Sequence, residues 1–203
     1  MFSGIVETTG TVVNLTWLHD CMQISVVPEI KFDDLQIGDS ISVNGVCLTV
    51  TAFDAQQFRV EIVPETLRLT NLKLLTENTR VNLERSLKAN ARIGGHNVQG
   101  HVDTTGRIIQ IEPDGAEALI ATIAVKPAIA KYIVNKGYVS IDGMSITVIK
   151  ADTENFTVTF IPHTQQTTIA HQYRTGTDVN IEVDIMGKYI EKLLGAYQEC
   201  NPQ

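Results

Sequence analysis

Residues 38–50, GDSISVNGVCLTV, and residues 136–148, KGYVSIDGMSITV, are close to being one segment written twice. The likeness continues along the chain. Asn44-Gly45 aligns with Asp142-Gly143, Val63-Pro64-Glu65-Thr66 with Ile161-Pro162-His163-Thr164, and Val81-Asn82-Leu83-Glu84 with Val179-Asn180-Ile181-Glu182, each at a separation of 98 residues. Near the start of each half Thr8-Thr9-Gly10 matches Thr104-Thr105-Gly106 at a separation of 96, so the second copy gains two residues before its hairpin. Four blocks in one order, at a period far beyond a solenoid unit, describe a duplicated domain just large enough to bury its own core. The division is expected at 1–88 and 89–185, with a tail at 186–203.

Within each half the local signals are for strands. Gln23-Ile24-Ser25-Val26-Val27 and Phe58-Arg59-Val60-Glu61-Ile62-Val63 are short, rich in β-branched residues and bounded by turn formers. Several such segments per half predict an all-β fold, a small Greek-key barrel or sandwich in each copy. Asn44-Gly45 and Asp142-Gly143 read as hairpin turns, because a type I′ turn needs positive φ and glycine adopts it without strain. After the turn Val46, Leu48 and Val50 alternate with Cys47 and Thr49, as Met144, Ile146 and Val148 alternate with Ser145 and Thr147. Period two sends the apolar triplet inward and the small polar pair to the outer wall. One such pair is ordinary strand surface. Two in equivalent places suggest two related sites.

Composition narrows the partner. A formal charge of −7 at pH 7 argues against nucleic acid, whose binding rests on Lys and Arg displacing counterions. Three cysteines, Cys21, Cys47 and Cys200, at unrelated spacings form neither a zinc pair nor a disulfide framework, which suits a reduced, cytoplasmic protein. The opening MFSGIVETTG has no basic segment leading an apolar run, and no stretch reaches the roughly 18 apolar residues of a membrane span. A small-molecule partner is expected, with no nucleic acid and no membrane.

GGHNVQGHVDTTG, residues 94–106, holds His96 and His101. Five residues apart, they would face opposite sides of a strand, and no HExxH pattern supports them, so no metal site is expected. His101 occupies the place of Ile5 in the first copy, a titratable group at one of two equivalent positions. Phe2 lies in a run, residues 2–6, that aligns with 98–102. It is either a loosely held chain end or an aromatic cover for a flat ligand. A nucleophile elbow, a P-loop and a dinucleotide turn are all missing from the sequence. Ile185, Tyr189, Leu193 and Tyr197 recur every four residues, with Ile190 and Leu194 adjoining, which predicts an amphipathic helix that packs on its own barrel or associates with copies of itself.

With MFSGIVE, the paired NGVCLTV and DGMSITV hairpins, GGHNVQGHVDTTG and VNIEVDIMGKYIEKLL, the chain resembles riboflavin synthases of the α-subunit type over essentially its whole length. The resemblance implies two tandem homologous Greek-key β-barrels followed by a C-terminal α-helix for oligomerisation. It implies a homotrimer, alone or docked on a lumazine synthase shell, with each active site between the N-terminal barrel of one subunit and the C-terminal barrel of another. It implies that two molecules of 6,7-dimethyl-8-ribityllumazine bind per site and exchange a four-carbon unit to give riboflavin and 5-amino-6-(D-ribitylamino)uracil, with no cofactor. Carried over, it places Gly4, Ile5, Val6, Cys47, Leu48, Thr49, Glu61, Ile62, Val63, Pro64, Glu65 and Thr66 around the ligand of the first barrel. Around that of the second it places His101, Val102, Asp103, Lys136, Ser145, Ile146, Thr147, Ile161, Pro162, His163, Thr164, Gln165 and Gln166. His101 with Ser145 and Thr147 is expected to move the proton of the acidic C7 methyl, Cys47 and Thr49 to assist the partner lumazine, and Phe2 to cover the stacked pair. Gln165-Gln166-Thr167 departs from the Leu-Glu-Arg-Thr common in that family, a change expected to alter ribityl contacts or a helix cap. The alternative is a non-catalytic, antenna-type lumazine or flavin binder, which need not retain Phe2, Cys47, His101, Ser145 and Thr147 together.

Overall fold

The computed structural model describes residues 1–200. The first half supplies β1 (Thr8–Leu18), β2 (Cys21–Pro28), β3 (Ser40–Val43), β4 (Val46–Phe53), β5 (Phe58–Ile62), the short helix α1 (Pro64–Leu69) and β6 (Arg80–Arg85). The second supplies β7 (Thr104–Asp114), β8 (Ala118–Ala124), α2 (Pro127–Ala130), β9 (Tyr138–Ile141), β10 (Met144–Ala151), β11 (Asn155–Phe160), α3 (Pro162–Thr167), β12 (Asp178–Val183) and the long helix α4 (Ile185–Cys200). Each set of six strands closes into an antiparallel barrel, in the order β1-β2-β5-β4-β3-β6 and, equivalently, β7-β8-β11-β10-β9-β12.

The repeat explains the closure. An extra residue interrupts the register between Val12 and Asn14 in β1 and between Ile108 and Gln110 in β7, and again between Val50 and Ala52 in β4 and between Val148 and Lys150 in β10. Such bulges bend and twist a strand, as a small closed barrel requires. The alternating apolar residues point inward: Val46, Leu48 and Val50 join the first core, and Met144, Ile146 and Val148 the second. Proline at the first position, Pro64 and Pro162, starts α1 and α3, where its missing N–H costs nothing.

Where the barrels meet, the two hairpin turns lie face to face. A Cβ on Gly45 would sit 2.6 Å from the Gly143 nitrogen, so these glycines serve close approach as well as turn geometry. Asn82 accepts the Ile169 N–H at 2.8 Å and donates to the Asp142 carbonyl at 2.9 Å. Its counterpart Asn180 accepts the Asn71 N–H at 2.7 Å and donates to the Asn44 carbonyl at 2.8 Å. Buried main-chain groups that face a neighbouring barrel instead of their own sheet are satisfied in this way.

The expected division near 88 and 89 falls between the two strand sets, but the chain does not respect it at the start of each half. Phe2 exchanges main-chain hydrogen bonds with Val98, at 2.7 and 3.2 Å. Beyond this bridge the segments cross: Val6 packs on the second core and Val102 on the first.

Candidate functional site

Each barrel has a notch in its outer wall. The paired register between β4 and β5 begins at Val50↔Val60, so residues 47–49 of β4 and the end of β5 part from one another, and α1 follows directly on β5. On β10 and β11 pairing begins at Val148↔Val158, leaving residues 145–147 and the end of β11 apart, and α3 follows directly on β11. Main chain at a parted strand edge offers N–H and C=O groups in the plane where a flat heterocycle could use them.

The crossing segments enter these notches. The Gly4 carbonyl accepts the Ser145 N–H at 2.7 Å, and the Gly100 carbonyl accepts the Cys47 N–H at 2.8 Å. Both glycines have positive φ, +75° and +80°. A Cβ on Gly4 would lie 2.6 Å from that of Ser145, and one on Gly100 2.5 Å from that of Cys47. Only glycine fits either place.

This corrects the expected grouping. Gly4 and Val6 belong with Ser145 at the second barrel, and the segment holding His101 and Val102 belongs with Cys47 at the first, because the Phe2–Val98 bridge sends each segment onto the opposite barrel. Ile5 is exposed and adjoins Gly94. His101 is exposed, and the imidazole that reaches Ser145 is His96, whose Nδ1 lies 2.7 Å from the Ser145 Oγ. His96 is buried, its ring stacks on Tyr138 at 5.5 Å, and its Nε2 has no hydrogen-bond partner among the described residues. Burial holds its pKa below the usual histidine value, opposed only by the charge of Asp184, so the ring is neutral at pH 7. None of the residues 1–88 aligns with His96, and Tyr138 replaces Ser40. Internal comparison therefore could not flag His96; its place in the glycine-rich loop beside His101 was the one available signal.

Phe2 is also corrected. It is fully buried in the bridge with Val98, so its ring has no face free to cover a ligand within this chain. Among the strand residues, Leu48, Ile62 and Ile146 are buried in the cores and can contribute only main chain to the notches. Thr49, Glu61, Val63, Glu65, Thr147, Ile161, His163 and Gln166 are exposed, and Cys47, Pro64, Thr66, Ser145, Pro162, Thr164 and Gln165 half-buried. Gln23 donates to Glu61 at 3.1 Å. Lys136 is exposed in a left-handed turn with φ +65°. Asp103 is tied down, accepting the Val183 N–H at 3.0 Å and pairing with Lys188 of α4. Gln165 stands where the first copy buries Leu67. It donates to the Phe160 and Glu117 carbonyls, both at 2.9 Å, which fastens α3 over the end of β11.

A cavity of about 610 Å³ lies elsewhere, between Asp34, Arg85, Lys88 and Arg92, and includes Ser3, Ile5 and Glu84 but neither outer-wall pair. Among the described residues no group of three or more His, Cys, Asp or Glu could hold a metal ion, and no helix is long and apolar enough to cross a membrane.

Duplicated closed barrels with paired, unequal outer-wall positions define a tandem-barrel class, and comparison with known proteins narrows it. The lumazine binding domain matches twice, over residues 3–86 and 99–184. The riboflavin synthase of Schizosaccharomyces pombe is 46% identical over 201 residues, covering 97% of this chain and 95% of the relative. That of Bacillus subtilis is 40% identical over 203 residues, covering 100% and 94%. LumP complexed with riboflavin superposes with a TM-score of 0.84 over 91% of this chain and 100% of that one, a likeness of fold at 20% identity. The chain belongs to the riboflavin synthase family.

Proposed function

We propose that the chain catalyses the dismutation of two molecules of 6,7-dimethyl-8-ribityllumazine. A four-carbon unit passes from one to the other, giving riboflavin and 5-amino-6-(D-ribitylamino)uracil. The observation that carries this reading is identity of 40–46% with riboflavin synthases along nearly the whole chain. The pairing of two like but unequal notches agrees with it, since two identical molecules must bind in similar ways and then do different things. The atoms of both products come from the two lumazines with no net oxidation, so the chemistry calls for acid/base help and orientation rather than a cofactor.

In this reading the halves 1–88 and 89–185 each bind one lumazine. At the second notch the neutral His96, hydrogen-bonded to Ser145, together with Thr147 handles the proton of the C7 methyl, whose carbanion delocalises into the ring. At the first, Cys47, Thr49 and His101 hold the partner lumazine and assist attack on it. The runs after β5 and β11, Val63 to Thr66 and Ile161 to Gln166, partly exposed, take the ribityl chains. Thr49 and Thr147 are exposed in the single chain, and excluding water from them is the work of a homotrimer in which the first barrel of one subunit faces the second barrel of its neighbour; the reading places this trimer in the cytoplasm, alone or with lumazine synthase.

The test is to mix the purified chain with the lumazine alone and follow both compounds by chromatography. Two lumazines lost per riboflavin gained is the expected result. Tight binding without turnover would replace the reading with an antenna-type binder. His101→Ala with unchanged turnover at every pH would remove His101 from the chemistry, and a fully active Cys47→Ser would leave Cys47 as a hydrogen-bonding residue.

A further inference from the structure

We propose that Glu84 and Glu182 are positioning residues wired across the molecule, each holding the main chain that completes the notch of the opposite barrel. Glu84 is the penultimate residue of β6 in the first barrel. Its Oε1 accepts the Ser3 N–H at 2.7 Å and the Ser3 hydroxyl at 2.9 Å, and its Oε2 accepts the Gly4 N–H at 3.1 Å. Gly4 then passes its carbonyl to Ser145 of the second barrel. Glu182, on β12 of the second barrel, accepts the Gln99 N–H at 2.6 Å and the Gly100 N–H at 2.9 Å. Gly100 passes its carbonyl to Cys47 of the first. Each glycine is thus a two-sided link, N–H to the glutamate of one barrel and C=O to the notch strand of the other, and its positive φ lets both ends reach.

Both carboxylates are 4% exposed, and among the described residues neither forms a salt bridge. A buried carboxylate is costly, and a neutral side chain could accept one N–H without that cost. What two carboxylate oxygens provide is a grip on two successive N–H groups, which fixes the direction of the following carbonyl. The same device recurs at 84 and 182, 98 residues apart, acting on segments 96 apart. The consequence is a crossed dependence: the notch holding Cys47 rests on Glu182, and the notch holding Ser145 rests on Glu84.

This inference rests on the notches being the lumazine sites, and its test is arranged so that the two can fail separately. Amide hydrogen exchange of the folded full chain is followed residue by residue by NMR, with no substrate present. Glu84→Ala is expected to speed exchange at the Ser145 amide at least tenfold and leave Cys47 protected, and Glu182→Ala to do the reverse. Glu84→Gln and Glu182→Gln, which keep one acceptor, are expected to give the same crossed pattern at smaller amplitude and serve where an alanine variant does not fold. Loss of kcat in lumazine turnover should accompany the crossed pattern. If each variant disturbs its own barrel's notch, or both notches equally, or neither, the crossed wiring is wrong. A crossed exchange pattern in a chain that does not turn over lumazine would uphold the wiring and overturn the substrate reading.

Discussion

Cys47 and Ser145 occupy equivalent strand positions, and what separates them is the imidazole each can meet. Ser145 has His96 within hydrogen-bond distance in a buried, stacked setting, while His101 follows the glycine that docks beside Cys47. A neutral imidazole can accept a proton only while unprotonated. Because burial keeps His96 below the ordinary value of 6.5, the acid limb of kcat against pH is expected to lie below pH 6.5, with activity lost as pH falls through it. His96→Gln keeps a hydrogen bond to Ser145 but cannot titrate, so steady-state kinetics should show that limb abolished and kcat lowered roughly a hundredfold, the lower end of general acid–base effects. An unchanged pH profile would leave His96 as a packing residue. The sequence did not distinguish the two histidines. Both sit in one glycine-rich loop, and which is buried is decided by the Phe2–Val98 bridge, a contact between residues 96 apart that no local pattern encodes. Repetition had pointed to His101 because Ile5 offered a comparison, whereas His96 has no counterpart.

At the level of strands and turns far more was legible. Alternation in β4 and β10 and the turns at Asn44-Gly45 and Asp142-Gly143 depend on residues close in sequence, and period two leaves a direct trace. What alternation cannot say is which barrel a short segment leans on, since Gly4 and Gly100 read alike in either place. For that reason Phe2, expected as a ligand cover, is found buried beside Val98 within this chain. Phe2→Ala should cost about 3–5 kcal/mol in urea denaturation, the usual range for a buried phenylalanine. The turns carry a second measurable feature. Asp142 is buried, accepting from the Asn180 N–H and the Asn71 amide on Oδ1 and from the Tyr173 hydroxyl on Oδ2, and burial raises its pKa to about 6. The folded state therefore binds its proton more tightly than the unfolded one. Its contribution to stability is fully present below 3.8 and is lost as pH rises through about 6. Burial acts on Glu84 in the same sense, raising it to about 7, and on Glu182 in direction. The parent's melting temperature is expected to rise as pH is lowered from 8 toward 5. Asp142→Asn, which copies Asn44 of the other turn, should reduce the slope between pH 4 and 6 without loss of stability at pH 7; a slope equal to the parent's would show that Asp142 does not carry it.

For the whole molecule, the element that does not fit a lone chain is α4. Its four-residue apolar repeat is plain in the sequence, and the structure gives it little to pack on. Gly187 lies against the Tyr132 ring, and Glu191 pairs with Lys131 and Tyr132, which fixes the helix near its start. Beyond that, Met186, Tyr189, Ile190, Leu193 and Leu194 are all more than half exposed. A run of large apolar side chains on one helix is costly to leave in water, at about 25 cal/mol per Å² of apolar surface, and is characteristic of an interface. The two notches of one chain, meanwhile, are completed by crossing segments that hold the barrels in a fixed relation, so the lumazines of a reacting pair are expected to be brought together by different subunits. Leu193→Lys places a charge in the middle of the exposed stripe without touching either notch. Sedimentation equilibrium is expected to give a mass of three times 22.3 kDa for the parent and of one chain for the variant. In the variant lumazine should still bind, but riboflavin formation should fall by orders of magnitude and recover as protein concentration is raised, because assembly then limits the rate. A monomeric variant with full activity would locate the reacting pair within a single chain and overturn the trimer as the catalytic unit.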